Sequence, residues 1–207
     1  MKQEITIEVP NDWSAITLRK YLELAADLTA YEGEAEATQA ALFYHLCGMR
    51  PEVMLRLDTE TFIKIKNQLN TFVSEIELPL VRSFNRNGVE YAFYPNLSKI
   101  EYGAYIDIAK LNSATINEDW AKIMAILYRP VTKKLAKGYE VKPYEGNEEW
   151  EWFLDLGMDV HFGAWFFFIN LSMDLLSSIP NSMMKKVMEM SPNIKSTLEK
   201  SGVTIQP

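Results

Sequence analysis

The chain has 207 residues, of which 48% are apolar, 24% charged and 12% aromatic. That mix excludes wholesale disorder and suits one domain, or two small ones, with a substantial core. A formal net charge of −7 argues against broad nucleic-acid binding and against docking on an anionic membrane, since both need a basic face.

Residues 4–9 alternate, with Ile5, Ile7 and Val9 on one side and Glu4, Thr6 and Glu8 on the other. This is the period of a half-buried strand, closed by Pro10. The same alternation at the start, in place of an apolar stretch, predicts no signal peptide. Asn11, Asp12 and Ser14 are turn or capping types. Leu18, Tyr21, Leu22, Ala25 and Leu28 then follow helical spacing over 17–30. Residues 34–47 are rich in strong helix formers, with Gly48 as their stop. Pro51 opens a short helix to about residue 57. Asp58 and Thr59 cap the next helix, where Phe62, Ile65, Leu69, Phe72 and Val73 recur at three and four.

The pattern changes after residue 77. Residues 80–84 and 89–94 are β-prone runs around Asn85-Arg86-Asn87-Gly88, and Asn-Gly between two such runs is a strong hairpin signal. The strand at 4–9 is a candidate partner, because an isolated hairpin is marginal in water. Helices are expected over 100–111 and from a cap at Asn117 through Trp120, Ile123, Met124 and Leu127, stopping near Pro130. A short strand is expected at 139–142. Further helices are expected at 147–156 and 160–178, separated by Gly157, and at 183–190 and 193–201 in a Met-rich end. The fold class is therefore α+β, predominantly α-helical, with helices packed on a small antiparallel hairpin sheet. It reads as a single domain over 1–207, and an internal boundary, if there is one, divides 1–77 from 78–207.

Little in the sequence points to catalysis. Cys47 is the only cysteine, which excludes an intrachain disulfide and fits a reducing cytosol. His45 and His161 are the only histidines, so no metal-ligand cluster, catalytic group or cofactor site is expected. His45 and Cys47 face different ways on a helix. A Cys47–His161 nucleophile pair would need a tertiary contact, and a buried inert thiol is the plainer expectation. Neither a phosphate-binding glycine loop nor a nucleophile elbow occurs. Lys133, Lys134 and Lys137 form the compact basic cluster, expected as a solvated helix face.

Residues 145–159 carry Glu145, Glu148, Glu149, Glu151, Asp155 and Asp159 with no basic residue, and Trp150, Trp152 and Phe153 lie among them. One reading is an acidic first helical turn whose aromatics enter the core. The other is an acidic–aromatic docking surface, since desolvated tryptophan is a common interface anchor. Trp150 and Trp152 are two apart, so one of them needs a partner outside the core. Residues 161–173 form an apolar stretch, too short for the ~20 residues that span a bilayer. Apolar on both faces, it is expected to be the central buried helix, with completion by a partner subunit as the alternative.

The order of these segments is familiar. A strand ending at Pro10 leads into Asp12-Trp13 and Ile16-Thr17-Leu18, and a helix ending at Gly48 leads into Pro51-Glu52 and Leu57-Asp58. Gly88-Val89-Glu90-Tyr91 follows, then Tyr102-Gly103-Ala104-Tyr105-Ile106-Asp107, Ile123-Met124-Ala125-Ile126-Leu127-Tyr128-Arg129-Pro130 and Phe166-Phe167-Phe168. Over residues 4–176 this resembles a group of tailed-bacteriophage proteins found among virion-assembly genes, and its pattern is similar to tail assembly chaperones. The resemblance implies a non-enzymatic protein of the host cytoplasm or the virion, whose partners are other phage structural or assembly proteins. It supplies no catalytic residues. A chaperone of this kind would hold a partner segment in an apolar groove. The alternatives are a structural component of the mature virion and a phage inhibitor of a host protein.

Overall fold

A computed structural model of the chain describes residues 7–74, 76, 78–111, 115–146 and 148–177, the side chains of 175–177 excepted. Half of the expected strand at 4–9, residues 4–6, lies outside the described residues, and its other half, 7–9, is not in a strand. The Met-rich segments at 183–190 and 193–201 lie wholly outside them. The architecture is α+β, with seven α-helices and a four-stranded antiparallel sheet among the described residues. Two compact units divide the chain, residues 1–166 and 167–207.

The first unit opens with a helical layer whose boundaries follow capping chemistry. Asp12 accepts the Ser14 backbone N–H at 2.8 Å, and the Ser14 hydroxyl donates to the same carboxylate. α1 (Leu18–Ala30) starts where the Thr17 hydroxyl accepts from Lys20 N. α2 (Ala35–Cys47) ends at Gly48, whose φ of +65° lets the chain turn back while Gly48 N and Met49 N satisfy the carbonyls of Tyr44 and Phe43. α3 (Pro51–Met54) has its proline in the first turn. α4 (Thr59–Ser74) begins where Asp58 accepts from the backbone and hydroxyl of Thr61. Leu18 and Leu24 of α1, Phe43 of α2 and Ile65 and Leu69 of α4 are buried.

The sheet has the order β1-β2-β3-β4. β1 (Ser83–Arg86) and β2 (Val89–Phe93) pair around Asn87 and Gly88, whose φ values are +50° and +80°. Positive φ at both positions defines the tight primed turn that Asn-Gly favours. Such a turn needs two loop residues, so Asn85 and Arg86, expected in the loop, are paired in the strand. The hairpin's further neighbour is a strand the sequence reading did not foresee, β3 (Tyr128–Lys134). β4 (Tyr139–Val141) then pairs with β3. The lysine cluster belongs to the exposed tip of this second hairpin, not to a helix, and Lys134 pairs with Glu90 at 2.7 Å.

α5 (Tyr102–Lys110) and α6 (Trp120–Leu127) connect β2 to β3. Every residue of α6 except Lys122 is buried, and the chain passes from Leu127 directly into β3. α6 is thus the helix buried nearly all round, a role the sequence reading gave to residues 161–173. The helix found there, α7 (Met158–Ser177), is buried at Met158, at Val160 and from His161 to Ala164, and exposed from Asn170 to Asp174. Within the first unit its start is fixed by close backbone approaches. A Cβ on Gly163 would lie 2.4 Å from the Pro79 carbonyl oxygen, and one on Gly157 2.7 Å from that of Ser14. Beside Gly157, Leu18 N donates to Leu156 O and Met158 N to Ile16 O, so the turn before α7 is tied to the start of α1.

Candidate functional site

The expected helix at 147–156 is replaced by a 3-10 turn, Glu151–Asp155. Tertiary partners override helical propensity here. Trp152 turns to the sheet, where the Arg86 guanidinium sits 4.1 Å from its ring centre and Tyr91 meets it edge-on at 4.9 Å. Arg86 also donates to the Trp152 carbonyl at 3.0 Å. Phe153 stacks on Trp152 at 3.7 Å and is buried. Trp150 takes a third direction, with the Lys122 ammonium 5.4 Å from its ring centre. Of the three candidate docking residues, then, Phe153 packs inside and Trp150 and Trp152 are half-buried.

Trp150 lines a cleft of about 570 Å³ together with Asp107 and Lys110 of α5, Lys122 of α6, Tyr144 and Glu148, Glu149 and Glu151. Across the acidic segment lies a smaller cleft of about 260 Å³, lined by Trp152, Tyr91, Lys142 and Glu145. Glu148 and Glu149 line both. The groove expected of a chaperone is apolar, whereas this one mixes aromatic rings with charge. α5 leaves Tyr102 and Tyr105 exposed at 77% and 57%, but neither lines the cleft, which α5 meets with Asp107 and Lys110.

One wall of the larger cleft is anchored by a fully buried arginine. Arg129 binds Glu101 bidentately, Nη1 to Oε1 at 3.0 Å and Nη2 to Oε2 at 2.9 Å. Its Nε donates to Ile126 O and its Nη1 to Lys142 O. The guanidinium lies over Tyr94 at 4.6 Å and Tyr144 at 5.6 Å. A forked, planar cation suits this combination, and a lysine would not. Glu101 in turn accepts from Tyr144 N at 3.2 Å. The Arg129 hydrogen bond holds the Glu101 carboxyl well below the ordinary range, at about 2. Tyr144 then donates its hydroxyl to Asp107 at 2.7 Å. Burial, with that bond second, pushes the phenol up to about 12. Buried arginine, sheet, α5 and the acidic segment form one connected network.

The other titratable candidates lie apart from this cleft lining. His45 is nearly buried between the α1 carboxylates, its Nε2 2.8 Å from Asp27 and its Nδ1 4.0 Å from Glu23. His161 Nε2 contacts Phe153 O at 3.0 Å, while its Nδ1 has no hydrogen-bond partner among the described residues. No Cys47–His161 hydrogen bond therefore forms. Burial raises the Cys47 thiol to about 11, so it stays protonated and weakly nucleophilic at neutral pH. Among the described residues no group of three or more His, Cys, Asp or Glu is placed to hold a metal ion, and no helix is long and apolar enough to cross a membrane.

No family model, curated protein or solved structure matches the chain.

Proposed function

We propose that this protein acts by protein–protein contact in bacteriophage virion assembly, as a chaperone-like tail assembly factor in the host cytoplasm. The phage setting rests on the sequence resemblance. The contact mechanism is supported by one observation above the others, the cleft that gathers Trp150, Tyr144 and four carboxylates from two separate parts of the chain. A half-buried tryptophan at a preorganised cleft has the character of an interface anchor. The Arg129 network holds the wall in place before a partner arrives, which lowers the ordering cost of association.

Affinity purification of the tagged chain from infected cells tests this reading. Phage structural proteins should co-purify in fixed ratio and be lost with Trp150→Ala. Recovery of a host enzyme in their place would turn the reading into inhibition of a host protein. Mass spectrometry of purified virions separates a transient factor, absent from the particle, from a retained structural component.

A further inference from the structure

The partner segment that fits this cleft is a basic one. We infer that the cleft at Trp150 takes arginine or lysine side chains of an extended partner segment, an inference that rests on the protein-contact reading above. Three observations carry it. The lysines of the two clefts are already neutralised, Lys110 by Asp107 at 2.7 Å, Lys122 by Asp119 at 2.9 Å and Lys142 by Glu145 at 2.6 Å. Glu148, Glu149 and Glu151 form no ion pair among the described residues. Glu148 accepts the Glu145 N–H, and Lys142, already paired with Glu145, also attracts Glu148 and Glu149; yet four carboxylates face two lysines in the larger cleft, so its lining is net negative. The chain's own cations also show what the two rings accept, an ammonium at Trp150 and a guanidinium at Trp152.

The chemistry follows from these groups. A cation entering the larger cleft meets carboxylates beside the indole of Trp150, a ring that already holds the Lys122 ammonium, and both kinds of group attract it. An acidic or purely apolar segment would meet repulsion or leave the glutamates desolvated without a partner. Glu148 and Glu149 line both clefts, so successive basic residues of one segment share them. The Lys122 ammonium disfavours a cation only weakly, because Asp119 already balances it.

The test uses the full chain and a capped octapeptide of alternating arginine and glycine, titrated by calorimetry. Saturable binding that weakens with added salt is expected. Glu149→Lys with Glu151→Lys should weaken it about tenfold or more. Glu32→Lys with Glu34→Lys, at exposed positions between α1 and α2, raises the net charge equally and should leave the affinity within about twofold. Equal loss in both double variants, absence of saturation, or equal binding of a glutamate–glycine octapeptide would overturn the inference. If the Glu149→Lys/Glu151→Lys chain still captures the virion proteins that the wild type captures, the basic-segment inference fails and the assembly reading stands. If the peptide binds as expected but the wild type captures no virion protein, the assembly reading fails and the specificity of the cleft stands.

Discussion

α6 and the acidic segment that lies against it are built on opposite terms. α6 runs regularly for eight residues and buries seven of them, all but Lys122, which lines the larger cleft beside Ile126. The segment 142–155 has one short 3-10 turn, and its four aromatics go four ways, Tyr144 to Asp107, Trp150 to Lys122, Trp152 to Arg86 and Phe153 into the core. The first stretch spends its residues on burial. The second holds an irregular backbone through side-chain and backbone bonds to Glu101, Arg129, Asp107 and Arg86, and in exchange presents charge and a tryptophan at a cleft. The difference separates residues that maintain the fold from residues free to serve a partner, and substitutions should divide along that line.

The sharpest break of the comparison is at Arg129, which belongs to both regions. Arg129→Ala removes the guanidinium donors of Ile126 O and Lys142 O and the bidentate partner of Glu101, which keeps the Tyr144 N–H, and opens a cavity. Losing one partner of a buried pair costs about 3–5 kcal/mol; Glu101 keeps some contact with water, so the lower end applies. Denaturant melts should show that loss, and Arg129→Lys should recover little of it. Next in size is acid sensitivity in the fold-maintaining region. Burial pushes His161 down to about 4 from its ordinary 6.5, so the unfolded chain binds the proton first. The stability this contributes is complete above pH 6.5 and is lost as pH falls toward 4, by about 3 kcal/mol in all. His161→Phe should flatten the melting temperature across that window relative to the wild type.

Gly163→Ala comes third. Its Cβ would meet backbone, the Pro79 carbonyl at 2.4 Å, and should cost about 1–3 kcal/mol. Gly33→Ala, where a Cβ meets no neighbour, isolates the cost of a left-handed backbone alone for comparison. The smallest effect should fall on the cleft. Glu149→Lys is expected to change stability by no more than about 0.5 kcal/mol, and thermal melts should hardly move even where binding is lost. A large destabilisation there would erase the distinction between the two regions.

Local chemistry made the helical layer readable, because Gly48, Pro51 and Asp58 each carry their own stop or start signal. Asn87-Gly88 did the same for the first hairpin. β3 was not legible: Pro130 reads as the end of a helix, whereas here it pairs with Tyr91 inside a strand that begins at Tyr128. The β-branched Val131 and Thr132 were the available signal. Apolar content on two faces placed the central helix at 161–173, but α6 fills that role, since apolar pattern alone does not say which of two such helices will be buried along its length. At the candidate site the two-residue spacing of Trp150 and Trp152 announced that they need different partners. The partners themselves come from sequence-distant places: Asp107 meets Tyr144 across 37 residues and Arg86 meets Trp152 across 66. Nothing local marks Arg129 as the buried anchor.

The central claim is that the partner contacts the Trp150 cleft. The most direct measurement is site-specific photo-crosslinking in infected cells, with a photoreactive phenylalanine at position 149 and, in a second chain, at exposed position 44 on α2. The account predicts a discrete crosslink to a virion protein from position 149 and none from position 44. Crosslinks from position 44 with none from position 149 would contradict it and move the contact to the helical layer.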